Sequence, residues 1–233
     1  MRQFLGGFVV LALPGVLVAD PHICHRINPN DKPELSVEVC TELLETKGLE
    51  RSERDEALTN RGIAFRELGD FQRSILDLKL SVSSSRNTFT MRMLAWTYRE
   101  AGDLEAAERL YTEVLAEDDH PQGWLSRCVV RQDMERYQDA LGDCKQALRR
   151  EGDNLDTVYF TARAFSFLDQ SGRALPLTEQ GMSLAPHDPR HLTEHVWALH
   201  QLGRTKEARQ KARAGLERFP EDPDLLSFLE QSF

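Results

Sequence analysis

The sequence predicts an all-α chain of stacked antiparallel helix hairpins, and three observations carry that prediction. A short turn recurs with a period of 33 or 34 residues, at Gly69-Asp70-Phe71, Gly102-Asp103-Leu104, Glu135-Arg136-Tyr137, Asp169-Gln170-Ser171 and Gly203-Arg204-Thr205. Each turn is followed at a fixed offset by a small residue, namely Ser74, Ala107, Ala140, Ala174 and Ala208, and seven residues later by Ser81, Val114, Ala147, Gly181 and Gly215. Apolar residues spaced three and four apart then give each helix one stripe to bury. No hairpin buries its stripe alone, so neighbours have to stack.

The elements follow in chain order. Residues 1–19 carry one early cation, Arg2, an apolar run from Phe4 to Leu13, a Pro14-Gly15 break and a terminal Ala19. This is the tripartite pattern of a secretory leader, with cleavage after Ala19. Counted on to Asp20, the stretch holds about 15 apolar residues, short of the roughly 18 to 20 that span hydrocarbon. Retention of residues 1–19 would instead make a membrane-tethered assembly factor. No cysteine follows Ala19 directly, so lipid attachment there is not expected. Residues 20–54 read as a degenerate hairpin whose first helix is cut short by Asn28-Pro29, with its turn at Asp31-Lys32-Pro33, Ser36 at the small place and Leu43 at the next packing place.

Five full hairpins are expected over 55–87, 88–120, 121–154, 155–188 and 189–222. Their first helices place Gly62, Ala95, Cys128, Ala162 and Val196 opposite the small residues of the second, flanked by bulky residues such as Leu58 and Phe65, Met91 and Tyr98, Val158 and Phe165. Pro186 and Pro220 end the second helices of their hairpins. Residues 223–233 form a capping helix, with Asp222 as N-cap and Leu225, Leu226, Leu229 and Phe233 at helical spacing.

This period and pattern resemble the tetratricopeptide repeat family over Asp55 to Asp222. The third hairpin departs from it, with Arg131 where a large aromatic is usual and Glu135 in place of the turn glycine. The resemblance implies a right-handed superhelical solenoid whose first helices line a concave, ligand-binding groove.

Four cysteines read as two bridges in an oxidising compartment and as buried thiols in the cytosol. Cys24 and Cys40 are 16 residues apart, and so are Cys128 and Cys144. The hairpin register sets the members of each pair opposite one another, within the Cα separation a disulfide needs. A Cys-containing half-repeat of this kind is similar to what secreted bacterial tetratricopeptide proteins carry. The expected location is the periplasm or the exterior.

Composition narrows the function. The formal charge is −9, and loss of residues 1–19 removes only Arg2 among the charged residues, leaving 28 basic against 38 acidic groups and −10. A nucleic-acid footprint is therefore absent. Phosphate-cradling glycine loops, nucleophile elbows and CxxC pairs are missing, and neither cofactor nor enzyme activity is expected. One string stands out: His191-Leu192-Thr193-Glu194-His195 matches the H-x-x-E-H arrangement of inverted zinc peptidases, so a metal-dependent hydrolase is the alternative reading. Against it, Leu192, His195, Val196 and Leu199 already form the packing stripe of the fifth hairpin.

Helical geometry gives five groove positions per first helix. They are Glu56, Thr59, Ile63, Arg66 and Glu67; Phe89, Arg92, Trp96, Arg99 and Glu100; Gln122, Leu125, Val129, Gln132 and Asp133; Asp156, Tyr159, Arg163, Ser166 and Phe167; and Arg190, Thr193, Trp197, His200 and Gln201. Five of these 25 are aromatic, where the chain's 8% aromatic content gives two, and five Arg balance five carboxylates. Aromatics and Arg on a neutral face are the marks of a protein-binding surface; the alternative is that some of the aromatics pack between hairpins. Asn is absent from all 25, which argues against the Lys and Asn grip on a terminal carboxylate that some chaperone-binding relatives use. The expected partner is an extended or helical protein segment held by Arg92, Trp96, Arg99, Val129, Tyr159, Arg163, Phe167 and Trp197.

Overall fold

The computed structural model describes residues 23–231. The predicted leader at 1–19 and Phe233 lie outside the described residues. The chain divides into two compact units, one ending at Arg86 and the other beginning at Asn87. Among the described residues it is helical throughout, with no strand.

The first unit holds α1 (Ile23–Arg26), α2 (Pro33–Glu45), α3 (Arg51–Glu67) and α4 (Phe71–Ser84). Asn28 precedes Pro29 and is pushed out of the helical region, so α1 is a single turn. The Asn28 carbonyl accepts from the Asp31 and Lys32 amides and turns the chain into α2. Cys24 and Cys40 sit fully buried with their Cα atoms 5.0 Å apart and their sulfurs within bonding distance. In the next hairpin α3 and α4 approach so closely that a methyl on Gly62 would come within 2.7 Å of Leu78 Cγ. One residue before that contact, Arg61 grips Asp77 with both arms, Nε at 2.7 Å and Nη2 at 2.9 Å, and donates from Nη1 to Thr41 Oγ1 at 3.1 Å.

The second unit holds four more hairpins and a closing helix. These are α5 (Thr88–Glu100) with α6 (Leu104–Glu117), α7 (Pro121–Asp133) with α8 (Tyr137–Arg150), α9 (Leu155–Phe167) with α10 (Ser171–Leu184), and α11 (Arg190–Gln201) with α12 (Thr205–Leu216), followed by α13 (Pro223–Glu230). Asn87, Asp103, Asn154 and Asp222 each accept a backbone N–H in the first turn of the helix that follows, satisfying donors that helix geometry leaves orphaned.

The five recurring turns share one geometry. In each, the second residue after the helix has a left-handed backbone, and two amides fold back onto carbonyls three and five residues earlier at 2.8–3.1 Å, the pattern that closes a helix at a left-handed residue. Gly69, Gly102 and Gly203 adopt it without strain, while Glu135 at φ 59° and Asp169 at φ 57° adopt it with side chains attached. The replacement of glycine in the third hairpin thus leaves the turn intact, at a cost of about 1 kcal/mol.

The other departure of that hairpin is explained by charge. Arg131 donates to Glu108 at 2.7 Å and Asp143 at 2.8 Å. Asp143, itself buried, is also held at both oxygens by Arg127 at 2.8 Å, whose Nη1 reaches Thr112 Oγ1 at 3.0 Å. Arg136 extends the network to Glu108 and Asp139. Burial pushes the Glu108 carboxyl up, but the hydrogen bonds from Arg131 and Arg136 outweigh it and hold the group below its ordinary range. Beside this network Cys128 and Cys144 are buried with Cα atoms 5.3 Å apart and sulfurs within bonding distance.

The closing helix differs in phase from the expected stripe. Leu225 and Phe228 are fully buried and Leu226 is 40% exposed. The inward positions are therefore 225, 228 and 229, packed on Val196, Leu199, Ala208 and Ala212. The structure corrects Leu226 to an outward position, because Phe228 takes the inward place three residues after Leu225.

Removing the Asp143 charge leaves two guanidinium groups facing each other in a largely buried site. Asp143→Asn is expected to lower unfolding free energy by about 3 kcal/mol in urea titration, whereas Asp139→Asn, at the exposed end of the same network, leaves the midpoint nearly unchanged.

Candidate binding face

The inner positions of α5, α7, α9 and α11 in the second unit divide into open, paired and buried ones. Phe89, Trp96 and Phe167 are the open aromatics, at 47%, 40% and 48% exposure. Trp96 stands at the rim of a cleft of about 210 Å³, together with Arg99, Gln122 and Asp156, and Leu125, Val129 and Phe160 form the apolar floor. Leu125 and Val129 are buried because Trp124, Ala147 and Phe160 pack around them. Trp96 donates from Nε1 to Glu100, one turn further along the same helix, at 2.8 Å, which restrains the ring.

The arginines of this face are mostly neutralised from within. Arg92 lies over the Phe89 ring at 5.9 Å and pairs with Asp118 at 3.4 Å. Arg99 pairs with Asp133 at 2.5 Å, and Arg190 pairs with Asp156 at 2.9 Å and Asp188 at 2.7 Å. Arg163 sits over the Phe167 ring at 5.4 Å, and Phe167 in turn stacks flat on Tyr137, with centroids 4.3 Å apart and planes 6° apart.

The structure therefore brings Trp96, Arg99 and Val129 around one cleft and sets Tyr159, Arg163 and Phe167 along α9. It does not join Trp197 to them. That ring packs edge-on against Phe228 of α13 at 5.0 Å and 84°. Tyr159 is half-buried, edge-on to Phe160 at 5.1 Å and to His191 at 5.8 Å. Eight of the 25 inner positions are buried: Leu125, Val129, Gln132, Ser166 and Thr193 here, and Thr59, Ile63 and Arg66 in the first unit. Gln132 shows why, since its Nε2 donates to the Phe160 carbonyl of the neighbouring first helix at 2.8 Å. Phe160, part of the cleft floor, lies outside the 25 inner positions, although its place one turn after Asp156 puts it on the same face of α9.

The His191-x-x-Glu194-His195 segment lies at the contact of α10 with α11. His191 is fully buried with neither ring nitrogen hydrogen-bonded, and its ring fills the space that a side chain at Gly181 would need, 2.0 Å from where that Cβ would sit. His195 Nδ1 lies 2.8 Å from Thr178 Oγ1, whose hydroxyl donates to the Leu175 carbonyl, so Nδ1 carries the proton and donates. Glu194 accepts from Ser166 Oγ at 2.5 Å on a different side. Among the described residues no three His, Cys, Asp or Glu side chains are grouped to hold a metal ion, and the hydrolase reading finds no support. Burial pushes both histidines down from their ordinary value and Glu194 up.

For a histidine held neutral by burial, the unfolded chain binds the proton more readily than the folded one. The associated stability is full above the unfolded value near 6.5 and is lost as pH falls below it. Glu194 acts in the opposite sense, since its raised value costs stability as pH rises. The urea midpoint is expected to fall between pH 7.5 and 5.5, and to fall less in His191→Leu, in which the Glu194 contribution is retained; an equal fall in the two chains would exclude the histidine.

Comparison with known proteins agrees with this architecture. A tetratricopeptide repeat family model matches residues 90–123. No curated protein matches the sequence. Among solved structures, the chain is similar to a tetratricopeptide repeat protein from Parabacteroides merdae, with TM-score 0.73 and 16% identity over 88% of this chain and 80% of that one. It is also similar to MamA from Desulfovibrio magneticus, with TM-score 0.67 and 13% identity over 73% and 97% of the two chains. A tetratricopeptide protein of Thermus thermophilus gives TM-score 0.60 and 16% identity over 75% and 96%. No helix among the described residues is long and apolar enough to cross a membrane. The chain thus has the fold of tetratricopeptide repeat proteins, a scaffold of stacked helical repeats.

Proposed function

We propose that this chain is an exported, non-enzymatic tetratricopeptide scaffold that binds a segment of a protein partner on the first-helix face of its second unit. The observation that carries the reading is the Trp96 cleft, an apolar pocket rimmed by an exposed aromatic and polar groups on an otherwise charged protein. Five repeats over 55–222, an N-terminal hairpin over 20–54 and a C-terminal cap from 223 account for the helix order.

Export is supported by the leader pattern in residues 1–19 and by two cysteine pairs within bonding distance. As disulfides, each closing a loop of about 16 residues, they contribute on the order of 3 kcal/mol. The first pair holds α1, a single turn too short to persist alone. Expression with the native N-terminus in a secreting host is expected to yield a mature chain beginning at Asp20, and non-reducing peptide mapping to return Cys24–Cys40 and Cys128–Cys144. A retained leader would favour the membrane-tethered form, and four free thiols would overturn export.

For the binding face, a photo-crosslinking residue at Phe89 or Gln122 is expected to capture partner, and one at the outward Gln138 or Lys206 is not. Trp96→Ala is expected to weaken the captured interaction by roughly tenfold or more. Capture from the outward positions alone would move the site to the second helices.

A further inference from the structure

We propose that Arg163 reads an acidic side chain, Asp or Glu, of the bound segment, with Phe167 as the platform beside it. The inference rests on the binding-face reading above and gives the partner a chemistry.

Arg163 differs from the other cations of this face. Arg92, Arg99 and Arg190 each have a carboxylate from the chain itself. Arg163 has no ion pair among the described residues, and its guanidinium lies over the Phe167 ring. The Glu194 carboxyl on α11 feels its charge, yet that group is occupied by Ser166 Oγ and pushed by burial toward the neutral form.

Arg163 is half-buried as a residue, and its guanidinium lies over a ring that is itself stacked on Tyr137. The cation–π contact with Phe167, at 5.4 Å from the ring centre, engages the face of the ring and leaves the N–H groups of the fork for an acceptor. A carboxylate matches that planar fork bidentately and gains from partial desolvation. The exposed face of Phe167 then offers apolar contact to a residue next to the acid.

Position links this point to the cleft. Asp156, Phe160, Arg163 and Phe167 fall on one face of α9. Asp156 to Arg163 spans about 10 Å along the helix, the reach of roughly three residues of extended chain. The segment that fits carries an apolar side chain for the cleft and an acid within about three residues of it. The negative charge on the rest of the protein is screened beyond about 10 Å at 0.1 M salt, so it does not oppose a contact made at Arg163.

The source of the carboxylate is a side chain rather than a chain terminus. A terminal carboxylate is gripped by several donors at once, and Arg163 is a lone fork on an open face.

The test uses a library of acetylated, C-terminally amidated octapeptides, in which no terminal carboxylate exists, presented to the full chain. Wild type is expected to retain sequences with Asp or Glu near an apolar residue. Changing that acid to its amide weakens binding by roughly tenfold. Arg163→Gln, checked for an unchanged thermal midpoint, binds the acid and amide forms alike, and Arg163→Glu prefers the Lys form. Retention of neutral or basic peptides by wild type, or an Arg163→Gln chain that still separates acid from amide, overturns this inference and leaves the binding face standing. No retained peptide, or retention equal in Trp96→Ala, overturns both.

Discussion

The close approach of two helices at residues that have little or no side chain is the constraint on which the rest of each hairpin depends. Ser74, Ala107, Ala140, Ala174 and Ala208 are all fully buried, and at Gly62 even one methyl group would collide with Leu78. Backbones held this near, joined by a turn of fixed length, bring residues 16 apart in sequence face to face at one level of the antiparallel hairpin. Cys24 faces Cys40, Arg61 faces Asp77, Arg127 faces Asp143 and Cys128 faces Cys144. The same spacing holds a cysteine pair at one position and a two-armed ion pair at the adjacent one. The position, rather than the chemistry, is what the fold supplies.

The third hairpin shows how that geometry tolerates departures. Arg131 takes an aromatic's place and Glu135 takes a glycine's, yet the turn keeps both of its closing hydrogen bonds. A left-handed residue with a side chain costs about 1 kcal/mol. The cysteine pair alone, as a disulfide, offsets that severalfold, and Arg131 recovers contact by joining Asp143 and Glu108. The cost is local and the compensation spans both helices. Gly181 is the reverse case: there a first-helix residue, His191, is large because the second helix has no side chain.

What could be read from the sequence was what repeats or is local. Turn positions, small residues, the N-cap at Asp222 and the opposition of the cysteines all follow from period and offset. What could not be read was which inner positions remain open. One residue of helical phase turns a side chain by 100°, so Leu226 and Phe228 exchange roles although both fit an apolar stripe. Trp197 lies at an inner position but meets Phe228 there, and Gln132 is covered because it bonds to a backbone carbonyl on the adjacent helix. Those outcomes depend on the neighbour's side chains, which no single helix encodes. The Arg–Asp bridges were legible in principle, since they share the spacing of the cysteines, but a charged pair two helices deep is masked by the expectation that Arg and Asp face water.

Charge counting shows the same limit at the level of function. Five arginines and five carboxylates on the first-helix faces sum to zero, and a neutral face says nothing about where charge is available. Resolved into pairs, the second unit's cancellation is local and leaves Arg163 outside it. The distinction matters more than the sum, because a paired guanidinium has donors already engaged by the chain, while Arg163 has no carboxylate of the chain on its donors among the described residues. On the proposed reading, selectivity resides where internal pairing fails, next to an aromatic ring already stacked on its neighbour, while Arg99, paired with Asp133, forms part of the cleft wall.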